Sequence, residues 1–299
     1  MSLFDNLQKR EDTYQSLMRN LAFYEKYLSS IEANAQEGVV DGLGAMLISL
    51  SDISMRLLCT LKTNLFSFYK DFKRSEIREY SEGHMLKIRQ IEAVPFNTYM
   101  DTEIPMPSEM TGRYMSAVEA VENLYTALDI VNAINTFNGV MLQVRKGVVR
   151  DEPNYGVDVA QLAQFNEFKM KKVNEAVAAH NANFAGEKTG ANTRLFKEGY
   201  ASMQEFRAVR QKLIAMEHHL QEVKEVLVIM ENSNKTLAQV ANTLDKTKDV
   251  QVDFMKQLVV AVRNMASMVD IFGTACNAQM ALEHNHVCVL ETINDASAE

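Results

Sequence analysis

From Tyr200 to Phe272 the chain has neither glycine nor proline, and apolar residues recur at alternating spacings of three and four. That spacing lines one face of an α-helix. The stripe runs Phe206, Val209, Leu213, Met216, Leu220, Val223, Leu227, Met230, Asn234, Leu237, Ala241, Leu244, Lys248, Gln251, Met255, Leu258, Val262, Met265, Val269 and Phe272. Seventeen of these twenty positions are apolar in a chain that is 47% hydrophobic overall, so the pattern predicts a long amphipathic helix. Its start is marked by Ser202-Met203-Gln204-Glu205, a capping box in which Ser and Glu reciprocally satisfy free backbone amides. Helical throughout, Phe206 to Phe272 would span on the order of 100 Å. The alternative is a fold back at Glu231–Lys235 or at Asp245–Asp249. The unbroken register favours one helix, because two helices joined by a turn keep the same seven-residue phase only about one time in seven.

The two halves of the stripe differ. Up to Leu244 the seam is narrow and flanked by Glu205, Arg210, Lys212, Glu217, Lys224 and Glu231, which resembles a coiled coil offering charges of both signs to a partner helix. Asn234 at an inner position would fix register, or would mark a turn. From Val252 onward Phe254, Val259, Ala261, Ala266 and Met268 widen the apolar face, as expected of a helix packed against several others.

The same spacing recurs earlier. Leu7, Arg10, Tyr14, Leu17, Leu21, Tyr24, Leu28, Ile31 and Ala35 form one stripe; Gly38, Gly42 and Gly44 then loosen the chain. A second helix follows, with Leu43, Leu47, Leu50, Leu57 and Leu61 on one face and then Leu65, Phe68 and Phe72, as a natural antiparallel neighbour. Between Gly83 and Gly112, Val94-Pro95 and Ile104-Pro105-Met106-Pro107 predict a loop or extended arm, with a short strand at Met85 to Ile91 where Leu86 and Ile88 alternate with Lys87 and Arg89. Helix resumes near Ser108 or Thr111 and carries Tyr114, Ala117, Val121, Leu124, Leu128, Val131, Ile134, Phe137, Met141 and Val144. A turn at Asp151–Gly156, a helix over roughly Val157–Phe184 and a hinge at Ala185–Asn192 complete the reading. The expected fold is all-α: an elongated helical bundle with a long C-terminal coiled-coil-like helix or helical hairpin. Its parts are an N-terminal helical hairpin (1–94), a Pro-containing connector (95–107), a second hairpin (108–185), and a long helix with a C-terminal bundle helix (186–299), in one continuous elongated domain.

Composition narrows the function. A net charge of -8 opposes gripping phosphate backbones, so no nucleic-acid partner is expected. The local basic run Lys70, Lys73, Arg74, Arg78, Lys87 and Arg89 is interleaved with Asp71, Glu76, Glu79 and Glu82, which reads as a solvated helix face. Three cysteines, Cys59, Cys276 and Cys288, are too few for a disulfide framework and fit a reducing compartment. The charged N-terminus lacks the apolar segment of an export signal, so the chain is expected in the cytoplasm at synthesis, with later incorporation into a virion or other large particle as one course.

Candidate chemistry is sparse. Gly186-Glu187-Lys188-Thr189 is no phosphate loop, since that motif needs a glycine directly before the lysine and another five residues earlier. Cys276, Glu283, His284, His286 and Cys288 are metal-ligand types, yet on one helix only His284 and Cys288 share a face, and a single site would require the helix to break. Glu283 and His286 form one Glu-x-x-His pair without the second copy that a di-iron bundle needs. His218-His219 reads as an exposed face, with His219 on the flank of the apolar stripe, and Cys59, among Leu57, Leu58 and Leu61, as a buried structural thiol. Four methionines of the main stripe, Met216, Met230, Met255 and Met265, suit a core or interface. No acid, base and nucleophile set is visible, and neither catalysis, a cofactor nor a metal is expected.

These features together predict a non-enzymatic structural or assembly protein that works through helix-helix contacts, by self-association or with other subunits, its interaction seam running from Phe206 to Leu237. A virion or phage-particle component is one concrete instance; an intracellular scaffold or adaptor is another. Gly42–Ser51 is too short to cross a membrane, and Leu258–Leu282 is interrupted by Arg263 and Asp270. In architecture alone, a long helical bundle with a glycine-containing apolar segment resembles helical pore-forming toxins, which implies membrane activity as the rival function.

Overall fold

The helical periodicity of the sequence is realised almost throughout the computed structural model of the chain, which describes residues 3–34, 43–71, 74–99, 101–104, 110, 113–150, 156–184, 193–194, 198–243 and 251–296. In chain order the helices are α1 (Leu3–Asn34), α2 (Leu43–Asp71), α3 (Glu76–Gly83), α4 (Met85–Ala93), α5 (Tyr114–Leu128), α6 (Ile130–Arg150), α7 (Val159–Phe184), α8 (Met203–Ala215), α9 (Glu217–Thr243) and α10 (Val252–Ala296). A 3₁₀ turn spans Phe96–Tyr99, and the strands β1 (Glu103–Ile104) and β2 (Thr193–Arg194) pair antiparallel, Glu103 with Arg194 and Ile104 with Thr193. The protein is an all-α bundle carrying this one two-residue ribbon among the described residues.

Two units divide the chain. The first comprises Met1–Ser67, Asp129–Lys171 and Lys224–Asp270. Its core follows the predicted stripes: Leu17, Leu21 and Leu28 of α1 and Leu50, Leu57, Leu61 and Leu65 of α2 are buried. So are Phe137, Met141 and Val144 of α6, Met230 and Leu237 of α9, and Phe254, Leu258 and Met265 of α10. Polar ties connect these helices, including Tyr24 Oη to Ser49 Oγ at 2.7 Å, Arg263 to Glu25, Lys62 Nζ to Glu231 Oε2 at 3.0 Å, and Asn166 Nδ2 donating to the Gln257 carbonyl at 3.0 Å.

The second unit comprises Phe68–Leu128, Lys172–Val223 and Ile271–Glu299. Its core joins Ile77 of α3, Ile88 and Ile91 of α4, Tyr114, Val121 and Leu124 of α5, Phe206, Val209 and Leu213 of α8, and Phe272, Leu282 and Leu290 of α10. Gly199 passes close over this core: a Cβ there would lie 3.1 Å from Ile104 Cδ1. Two arginines of α8 hold the end of α4, with Arg207 donating to the Glu92 carbonyl and Arg210 Nη2 to Glu92 Oε1 at 2.8 Å.

Four expectations change. Met85 to Ile91 is helix α4 rather than a strand, because Ile88 and Ile91, three apart, are the buried pair while Leu86 is 75% exposed; the alternation was coincidental. The stripe from Tyr114 to Val144 belongs to two helices, broken at Asp129, whose φ of 40° lies in the left-handed region that no helix interior adopts. The expected turn at Glu231–Lys235 is absent, since α9 runs through it; Asp245–Asp249 and the hinge at Ala185–Asn192 lie outside the described residues.

The single helix from Phe206 to Phe272 is also overturned. The chain pauses at Met216, and the ring of Tyr125 is 4.0 Å from that of His219 and 5.7 Å from that of Phe272. One continuous helix would separate those two residues by roughly 80 Å. The chain therefore reverses between α9 and α10, as in the hairpin alternative. α10 then passes through Gly273 without a break and continues to Ala296.

The capping box forms in half. Ser202 has extended φ and ψ, and its Oγ accepts from the Glu205 N–H at 3.1 Å, while Glu205 Oε1 is buried without a hydrogen-bond partner among the described residues.

Candidate functional site

The predicted seam is occupied by the chain itself. Phe206, Val209, Leu213, Met216, Leu220, Val223, Leu227, Met230 and Leu237 are all buried. Asn234 is half-buried within α9: its Nδ2 donates to Cys59 Sγ at 3.1 Å and its Oδ1 is buried without a partner among the described residues. From Val226 on, Met230 and Leu237 keep their inner places, while Val226 is buried more deeply than Leu227 and Ser233 takes the inner place next to Asn234. Ser233 is tolerated there because its hydroxyl bonds the Ile229 carbonyl one turn back, at 2.8 Å. Cys59 is exposed, contrary to expectation, because Leu57, Leu58 and Leu61 define a buried face that position 59 does not share.

The C-terminal polar residues, spread along one unbroken helix, go to different surroundings. Cys276 is buried, and burial pushes its thiol up to about 12. Glu283 is buried and anchors a network: Ser75 Oγ donates to Glu283 Oε2 at 2.8 Å, Gln279 Nε2 to Glu283 Oε1 at 2.8 Å, and Tyr125 Oη to Gln279 Oε1 at 2.9 Å. The backbone amides of Glu76 and Ile77 also favour the charged carboxylate, as does the Ser75 contact, so Glu283 helps cap α3 from another helix. Burial outweighs these donors and pushes the carboxyl up to about 7.

His286 is fully buried in an aromatic box, stacked on Phe206 at 4.8 Å and edge-on to Tyr114 and Tyr200. Tyr200 Oη lies 2.7 Å from its Nδ1, and Nε2 has no hydrogen-bond partner among the described residues. Burial first, and the Arg210 charge second, lower it to about 3, so this histidine is a neutral core residue. His219, on the flank of the apolar stripe, has a side chain only 12% exposed and stacks on Tyr125, while His218 beside it is exposed.

His284 and Cys288 stay at the surface. Cys288 Sγ is 3.8 Å from His284 Nε2, and His284 Nδ1 is 3.1 Å from Glu76 Oε1. Thiol, imidazole and carboxylate thus fall in one line that the sequence does not display, because Glu76 is 208 residues from His284. No three His, Cys, Asp or Glu side chains among the described residues are grouped so as to hold a metal by themselves. Two members of the basic run near α3 are paired, Arg74 with Glu79 at 3.4 Å and Glu82 at 2.8 Å, and Arg78 with Glu82 and with Glu217 of α9.

Association has to use what remains outside. In the first unit Phe23 of α1 is 64% exposed and Tyr27 43%, their rings stacked at 6.4 Å. Phe23 lines a groove of about 380 Å³ together with Leu17, Asn20, Tyr24, Asp52 and Arg56. Phe66, Phe168 and Val228 are further exposed apolar side chains of this unit, and Met85 and Leu86 of the second. By length and composition α10 is apolar enough to cross a membrane, but 61% of its most apolar window is buried inside the chain.

Fold and surface define a helical-bundle protein whose own seams are filled and whose outer helix faces carry scattered aromatic residues. Compared with protein-family models, with curated proteins and with solved structures, the chain matches none.

Proposed function

We propose that this chain is a non-enzymatic structural or assembly protein that acts through helix-helix contacts with further copies of itself or with other subunits of a complex. The observation that carries the reading is the stacked Phe23–Tyr27 pair, left exposed on α1 off its buried stripe of Leu17, Leu21 and Leu28, with Phe23 lining a groove. Exposed aromatics next to a concavity are what helix-docking surfaces offer a partner. A virion component is the particular setting we favour, with a scaffold or adaptor drawing on the same surface.

Light scattering over a wide concentration range is the test. Self-association, or a subunit complex recovered from the native source, should be present in the wild type and lost in Phe23→Ser. A wild-type chain that stays a monodisperse monomer and recovers no subunit overturns the reading, as does association that Phe23→Ser leaves intact.

The rival reading, membrane activity, is supported by the length and apolarity of α10. Its buried faces would first have to be released from the core. Absence of dye release from anionic and neutral liposomes between pH 4 and 8 on the order of hours counts against it.

A further inference from the structure

His284 and Cys288 stand four residues apart on α10, so both side chains leave the same face one turn from each other. The imidazole is held from behind, with Nδ1 at 3.1 and 3.3 Å from the two oxygens of Glu76 on the first turn of α3. A carboxylate only accepts, so Nδ1 carries a proton, and in the neutral ring Nε2 presents a lone pair toward Cys288 Sγ, 3.8 Å away. This is the tautomer of a metal-ligating histidine, and a carboxylate on the second nitrogen is its usual support. Tetrahedral zinc, with about 2.3 Å to sulfur and about 2.0 Å to nitrogen, sets its ligands about 3.5 Å apart, close to what the pair already shows.

The surroundings suit a cation. The side chain of His284 is 68% exposed, so solvent ions reach it. Beyond burial, the charges that act on the Cys288 thiol are those of Glu291 on α10 and Glu76 on α3, both negative. They push the thiol up, which opposes its use as a free nucleophile. A dication bound there would offset the same charges.

The geometry points to a two-ligand site for a borderline-soft divalent cation, with Zn2+ bound by Cys288 Sγ and His284 Nε2, Glu76 as the positioning carboxylate, and the other coordination positions open to water or a second copy's pair. Binding exchanges the Sγ–H proton for the metal and releases that proton to solvent. The assignment is independent of the assembly reading, since it needs only one chain.

Chelator-treated full-length protein is titrated with Co2+ by absorbance and with Zn2+ by calorimetry, with circular dichroism checking that each variant is folded. A thiolate-to-cobalt band should appear in the wild type and in Cys59→Ser, and vanish in Cys288→Ser. Zn2+ affinity should fall at least tenfold in His284→Gln and about tenfold in Glu76→Gln. A stoichiometry of one per chain, or of one half with a doubled mass, supports the site with water or a second copy completing it. A wild type without the band, a band that survives Cys288→Ser, or a folded His284→Gln with unchanged Zn2+ affinity overturns it.

Discussion

Glu283 shows how a single residue can work against the fold that holds it. Its carboxylate receives Ser75, Gln279 and two backbone amides, yet burial raises it from an ordinary 4.5 to about 7. The folded state thus binds a proton more readily than the unfolded state, so stability falls as pH rises from about 4.5 to about 7 and is level above. At about 1.4 kcal/mol per pH unit the drop is roughly 3 kcal/mol. Denaturant melts from pH 4 to 8 should show this slope in the wild type and a flatter one in Glu283→Gln; equal slopes would place the shift elsewhere. Asn234 carries a second residue-scale expectation. Its Oδ1 is buried unpaired while Nδ2 meets only a cysteine sulfur, so Asn234→Leu should stabilise by about 1 kcal/mol in thermal melts.

Among the elements, the boundaries are where local chemistry is most testable. Ser202→Ala removes the acceptor for the Glu205 amide and should cost about 1 kcal/mol in a denaturant melt. At Asp129, φ of 40° strains any side chain, while the carboxylate accepts from Asn132 Nδ2 at 3.1 Å. Asp129→Ala keeps the strain and loses the contact, so it should destabilise by about 1 kcal/mol, whereas Asp129→Gly should be close to neutral by the same measurement. Neither the break at Asp129 nor that at Met216 was legible in the sequence, because the apolar spacing runs through both: Leu128 and Val131 are three apart, and Met216 and Leu220 four. A stripe records which side of a helix faces a core, and it is silent about a one-residue interruption. Helix α4 erred in the opposite direction, since Leu86 and Ile88 alternate over too few residues to separate a period of two from one of 3.6.

For the whole molecule, burial of the seam moves the search for partners from α8 and α9 to the outer aromatics. Removing Phe206, which is fully buried against Tyr200 and His286, should cost about 3–5 kcal/mol on substitution to Ala and test the core rather than association. Phe23→Ser should leave the unfolding free energy within about 0.5 kcal/mol of the wild type, measured by denaturant melts alongside the light scattering, because a side chain 64% exposed contributes little to the chain's own packing.

The sequence by itself determined the all-α class, most helix positions, and nearly all of the buried line from Phe206 to Leu237. Helical periodicity is local, and a residue's facing is set within two turns. Only the tertiary structure decided that the long stripe reverses, that Ser233 rather than Asn234 takes the inner place, that Cys59 is outside, and that Glu76 meets His284 from 208 residues away. Those outcomes depend on which helix arrives opposite, and no spacing along one helix encodes the identity of its neighbour.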